Sequence, residues 1–259
     1  MTSTLLVVLA LGLLIGALLG LLGGGGSILA VPALVYVIGL PLAEAVPTSL
    51  LVVGISSAAA VLPRLRQVQW RLAAIFGATG AAAALAGTAV NRLLDPSLVL
   101  LGFAAVMVAA ALRMLRSNDD VGGSCALPGG GVNWRSCLPK AAASGVVVGF
   151  FTGLFGVGGG FLIVPALTLL LGLPLVTAAA TSLVVIVANS AAAFGAHLSD
   201  TTIDVAITAA FAAAAIAGSV VASRLAPRLP GHRVRRWFAG LVLLVAVYVT
   251  FQATLGFLD

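Results

Sequence analysis

Charge is what this sequence lacks most: Asp, Glu, Lys and Arg make up 8% of its 259 residues, against about a quarter in an average soluble domain. With 61% apolar residues, no soluble surface can be built. Only two cysteines occur, Cys125 and Cys137; without CxxC spacing they read as loop thiols, not a zinc or redox site. There is no HExxH, no aspartate pair and no Ser-His pair on an apolar stretch, which argues against an intramembrane enzyme. The glycine runs are not followed by Lys-Ser/Thr and do not complete GxGxxG, so a nucleotide site is not expected. No cofactor and no metal site are expected.

What is present is long apolar sequence. Uncharged runs extend from Met1 to Ala43 and from Ala141 to Ser199, and one crossing of the hydrocarbon layer takes about 20 apolar residues. Each run is long enough for more than one crossing. Met1 to Leu22 has no basic n-region and no small-residue cleavage site, and is expected to stay in the mature protein. The net charge of +6 comes from basic residues between apolar segments, where the positive-inside bias places them in cytoplasmic loops. No aromatic residues interleave with them, so nucleic acid is not an expected partner.

The chain repeats itself at an offset of 133 residues. GLLIGALLGLLGGGGSILAVPALVYVIGLPLAEAVPTSLLVVGISS, from Gly12, aligns with GVVVGFFTGLFGVGGGFLIVPALTLLLGLPLVTAAATSLVVIVANS, from Gly145. Of these 46 positions 22 are identical, seven of them glycine. A fainter match joins AAALAGTAVNRL, from Ala82, to AAAIAGSVVASRL, from Ala213. The repeats are residues 1–115 and 141–259, joined by a Gly-, Ser- and Pro-rich polar linker at 116–140 that reads as flexible.

Apolar segments in the first repeat are expected at 4–22, 27–39, 43–62, 72–91 and 97–115. In the second they fall at 141–155, 160–172, 175–196, 203–223 and 236–257. The first two of each repeat are separated only by glycines, and Pro41 and Pro174 are expected to end the second short helix, with Pro32 and Pro165 able to kink it. Loop charge orients them. Arg64, Arg66 and Arg71 follow the third segment of the first repeat, whereas His197, Asp200 and Asp204 occupy the matching place in the second. After the fourth segment the bias reverses, with Arg92 and Asp95 against Arg224, Arg228, Arg233, Arg235 and Arg236.

Basic loops inside put 63–71, 116–140 and 224–236 in the cytoplasm and both termini outside. Equivalent loops then lie on opposite faces. The expected fold is an all-α polytopic membrane protein of two inverted repeats, each a glycine-broken helical hairpin plus three transmembrane helices.

Inverted repeats with broken helices are a transporter's architecture, in which half-helix N-termini face an anionic substrate near the midplane. Gly12, Gly16 and Gly20, like Gly145, Gly149 and Gly153, form stripes suited to close helix packing. The tighter clusters Gly23, Gly24, Gly25, Gly26 with Ser27, and Gly156, Gly158, Gly159 and Gly160, would unwind a helix where free backbone survives only if buried or lining a wet cavity. They are the candidate binding loops, with Ser27 and Gly160 opening the half-helices. Thr48, Ser49, Thr181, Ser182 and Asn189 are candidate neutral donors to an oxyanion, unless their own helix carbonyls engage them. No charged residue falls clearly inside a span; Glu44 is the nearest candidate for proton coupling, against an interfacial carboxylate.

The doubled pattern GLLGGGGSILAVPAL, from Gly20, and GLFGVGGGFLIVPAL, from Gly153, each followed by Gly-Leu-Pro and Thr-Ser-Leu, resembles the sulfite exporter TauE/SafE family, also called 4-toluene sulfonate uptake permeases. The resemblance covers nearly the whole chain. It implies a prokaryotic inner-membrane permease moving sulfite, sulfoacetate or other organosulfonates. The expected partners are the lipid bilayer, a small anion and coupling protons, with homo-oligomerisation left open. A passive anion channel and a non-transporting membrane scaffold are the alternative readings.

Overall fold

The computed structural model describes residues 2–91, 93–94, 96–116, 134–155, 160–197 and 204–255. Every regular element among them is helical. The first repeat holds α1 (Thr2–Leu22), α2 (Ser27–Pro32), α3 (Leu42–Val61), α4 (Trp70–Asn91) and α5 (Pro96–Arg116). The second holds α6 (Trp134–Phe155), α7 (Gly160–Pro165), α8 (Leu175–His197), α9 (Val205–Leu225) and α10 (Gly231–Leu255). Among the described residues, seven spans are long and apolar enough to cross a membrane. The segments expected from apolar run length reappear within a few residues, with two longer starts. α6 begins at Trp134, so the last residues of the linker are helical, and α10 begins at Gly231.

The segments that follow the two breaks are built alike, and the break itself is described in the first repeat. After α1 the chain turns at Gly23, in the left-handed region at φ 71°, which glycine adopts without penalty. Gly26 then lies against the Ile15 carbonyl and Leu19, so α2 returns along α1. Pro32 closes α2, and π-helical backbone follows at Ala33–Ile38; Pro165 closes α7 before the π-helical Ala166–Leu170. Proline has no N–H for the i−4 carbonyl, and widened turns accommodate that loss.

Pro41 and Pro174 do not end these short helices. The ends come earlier, at Gly39 and Gly172, whose φ values are 82° and 69°. The Leu40 N–H bonds to the Leu34 carbonyl at 3.0 Å and the Leu173 N–H to the Leu167 carbonyl at 3.1 Å, one residue wider than the six-to-one bond of a glycine-capped α-helix because the turns before them are π-helical. The two prolines instead stand just before α3 and α8, where a missing N–H costs little.

The repeats interlock. The two most extensive pairings are α1 with α9 and α4 with α6; exchanging the repeats turns one into the other. Both are parallel and built on the glycine stripes. Gly16 faces the Ala215 backbone and Gly20 that of Ser219, while Gly149 faces Gly80 and Gly153 faces Ala84. An added methyl group at any of these four would overlap backbone of the partner helix, as small-residue packing requires.

At the centre α3 packs on α8. Gly54 lies beside Ser190, while Ala60 and Val61 cluster with Ala180 and Leu183. One number rises as the other falls, so these equivalent helices run antiparallel.

Candidate functional site at the paired helix breaks

The break after α1 meets the start of α7. A methyl group on Gly24 would overlap the Gly160 carbonyl, and one on Gly160 would stand 2.8 Å from the Ser27 hydroxyl. The first turns of α2 and α7 therefore abut, from opposite repeats. Gly160 and Ser27 are both buried. Gly156, Gly158 and Gly159 lie outside the described residues.

Within the first cluster the glycines have distinct neighbours. Gly23 presses on the Ala179 backbone, and its carbonyl accepts a short hydrogen bond from Ser182 Oγ. Gly25 faces only side chains, Leu22 Cδ1 and the Phe238 ring, both at 3.1 Å from an added methyl. Ser27 Oγ donates to the Gly24 carbonyl at 2.7 Å, and the Ser27 N–H reaches the same oxygen at 3.2 Å. The serine thus shapes the turn that its own half-helix leaves.

Beside this junction lies a cavity of about 740 Å³, reached by Ser27, Ser49 and Ser190 and walled by aliphatic residues with Phe103 and Phe155. Phe103 packs on Phe155 and edge-on against Phe161, centroids 5.1 and 5.4 Å apart. Among the described residues, no charged side chain lines the cavity. Any polar recognition in it comes from hydroxyls and backbone.

The other predicted donors are placed differently. Thr48 is buried, as are Thr181 and Ser182, and none of the three lines the cavity. Thr181 Oγ1 donates to the Thr177 carbonyl at 2.7 Å and accepts from the Gln69 N–H at 3.1 Å, tying α8 to the start of α4. Ser182 also reaches the Ala179 carbonyl at 2.9 Å. Ser49 Oγ bonds to the Val46 carbonyl at 2.7 Å, yet the residue still reaches the cavity. Asn189 is half-buried, and its neighbour Ser190 is the one on the cavity wall. Glu44 occupies the first turn of α3, half-buried and away from the cavity lining, where a carboxylate suits the helix dipole.

Arg64 is not a loop charge. It is 2% exposed, and its guanidinium donates to the Ser223 carbonyl at 2.8 and 3.1 Å and to the Gly20 carbonyl at 2.5 Å. Both acceptors need it. Gly20 would be served by residue 24, beyond the break, and Ser223 by residue 227, a proline without an N–H. One side chain thereby caps the parallel ends of α1 and α9. On the α4–α6 pair neutral groups do this: Asn91 Nδ2 donates to the Leu154 carbonyl at 2.6 Å. Cys137 also departs from expectation, being buried in α6 and disulfide-bonded; Cys125 lies outside the described residues.

A helical membrane protein whose broken hairpins meet across an internal duplication is built like a transporter. The family description "Sulfite exporter TauE/SafE" matches residues 8–249, and the chain belongs to that family of membrane transporters. A probable membrane transporter protein of Xylella fastidiosa (strain Temecula1) is 36% identical over 190 residues, covering 71% of this chain and 70% of the relative. The probable membrane transporter protein YunE of Bacillus subtilis is 28% identical over 219 residues, 74% of this chain and 77% of the relative. One from Methanocaldococcus jannaschii, MJ0441, is 27% identical over 173 residues, covering 63% and 61%. No solved structure matches the chain.

Proposed function

We propose that the protein is a secondary transporter of small anions, sulfite or organosulfonates, that works by alternating access between inverted repeats. The observation that carries this reading is the junction of Ser27 with Gly160, where two half-helices from opposite repeats begin side by side and the one that opens at Ser27 lines a cavity. Helix N-termini present N–H groups and a positive dipole end to an anion. The Ser190 and Tyr248 hydroxyls on the cavity wall are the neutral donors that add to this, Ser27 and Ser49 being engaged by the Gly24 and Val46 carbonyls, and the aliphatic wall takes the organic part of a sulfonate. Because no charge among the described residues lines the cavity, the anion is held without a fixed counter-ion and is released readily when access switches.

The antiparallel α3–α8 contact supports inversion, since equivalent helices that point in opposite directions are what an in-plane two-fold axis generates. We place the chain in the inner membrane with 116–140 cytoplasmic and both termini outside, on the charge of Arg66, Arg71 and the 224–236 run. Labelling of Arg66→Cys and Val205→Cys in intact cells decides: inversion requires them on opposite faces, with 205 the accessible one. Proton-driven uphill uptake of sulfite or sulfoacetate into proteoliposomes tests the transport itself. Flux that only equilibrates would mean a channel, and no flux of any sulfur oxyanion would end the reading.

A further inference from the structure

Outside the interior site, the outer face of the α1–α9 pair carries a second cavity of about 520 Å³. It is a groove whose floor is made of small residues, Ala17, Gly218 and Ala222, between rims that include Leu13 and Val221. Its lining is aliphatic except at one end, where Arg228 closes it. Leu13 and Val221 are 47% and 59% exposed, and both helices are among the candidate spans. The groove therefore faces lipid.

The floor exists because α1 and α9 approach closely. Gly218 lies against the Leu13 carbonyl and the Ala17 N–H, and neither Gly218 nor Ala17 has side chain enough to fill the space. From Leu13 to Leu21 the groove follows α1 for about 12 Å at 1.5 Å per residue. In the α4–α6 pair the backbones also approach closely, one turn further along, with Gly87 against Phe150 and Leu154. There, however, Phe150 stands where α1 has Ala17.

We propose that this groove is a binding site for an anionic phospholipid, with one acyl chain on the Ala17–Gly218–Ala222 floor and the headgroup phosphate at Arg228. The lining fits hydrocarbon and nothing more polar. At the mouth Arg228 is exposed, and exposed Arg224 lies one helical turn before it. An aliphatic channel ending in arginine at a helix end matches the two parts of such a lipid. Basic pockets between membrane helices select anionic headgroups, each Lys or Arg contributing about a kcal/mol. The same α9 end is held from inside by Arg64 through Ser223, so a lipid seated here also braces α9 against α1.

Native mass spectrometry of the purified full chain, titrated with phosphatidylglycerol or phosphatidylcholine of equal chain length, tests this. The wild type is expected to retain phosphatidylglycerol preferentially. Arg228→Gln should weaken that retention about fivefold, leaving phosphatidylcholine binding unchanged. Ala17→Phe, the residue the second repeat uses, should fill the floor and lower retention of both lipids. Arg113→Gln, an exposed arginine on α5 away from the groove, should change neither. Equal retention of the two lipids by the wild type, or phosphatidylglycerol binding unaltered by R228Q, overturns the proposal. R228Q alters an exposed side chain and so reads the site even if A17F does not fold.

Discussion

The hydroxyl of Ser182, on α8, donates to the carbonyl of Gly23, at the break after α1. A side chain of the second repeat thus satisfies backbone that the first repeat leaves free by unwinding. At membrane depth an unpaired carbonyl costs several kcal/mol, so the break in one repeat depends on the presence of the other. Ser182→Ala is expected to lower stability by about 1–3 kcal/mol, read as an earlier unfolding midpoint in detergent. Ser49→Ala, on the cavity wall and bonded only within its own helix, should leave the midpoint within about 0.5 kcal/mol and change transport instead.

The first glycine cluster is expected to respond unequally to a single methyl group. Gly24→Ala puts a carbon into the Gly160 carbonyl, and Gly23→Ala adds a left-handed backbone to a clash with Ala179. Neither obstacle is a flexible side chain. Both variants should lose well over 1–3 kcal/mol and all transport. Gly25→Ala meets only the ends of Leu22 and Phe238, and should fold with a small loss. Equal midpoints for the three variants would contradict the placement of the break.

Arg64 offers a double-mutant test. Arg64→Ala leaves the Gly20 and Ser223 carbonyls buried without a donor and is expected to cost about 1–3 kcal/mol for each carbonyl. Pro227→Ala restores an N–H four residues after Ser223, so it should recover part of the loss in the R64A background and little in the wild type. Strict additivity in the cycle would show that Pro227 is not why Ser223 needs the arginine.

The α3–α8 contact can be trapped directly. An added Cβ at Gly54 lies 3.1 Å from the Ser190 Cβ, close to the 3.5–4.5 Å of a disulfide. In a background without the native cysteines, Gly54→Cys with Ser190→Cys should cross-link readily under mild oxidation. Failure of that pair, with cross-linking at 60 and 193 instead, would mean a parallel packing.

Much of this was legible in the sequence, for physical reasons that differ by feature. Run length and glycine punctuation located the helices, because lipid demands about 20 apolar residues per span and four consecutive glycines do not continue a helix. The meeting of Ser27 with Gly160 was expected from the duplication taken together with the opposite loop charges of the two repeats. Arg64 was not legible as a cap, because counting basic residues assumes that they sit in solvent, while its partners lie 44 and 159 residues away. The one available signal was Pro227, which leaves a carbonyl unserved. Thr181 and Ser182 recur in both repeats, and in the second they serve backbone groups: a hydroxyl pattern cannot separate donors to a ligand from donors to a carbonyl. The cavity draws on α1, α2, α3, α5, α6, α8 and α10, and no linear pattern contains it.

Transport of an anion by alternating access at the paired breaks predicts substrate counterflow. Proteoliposomes preloaded with unlabelled sulfite or sulfoacetate are diluted into a trace of the labelled anion. A carrier gives a transient internal overshoot of label, which Gly24→Ala should abolish. A monotonic approach to equilibrium, or no entry of label for any sulfur oxyanion, would contradict the account.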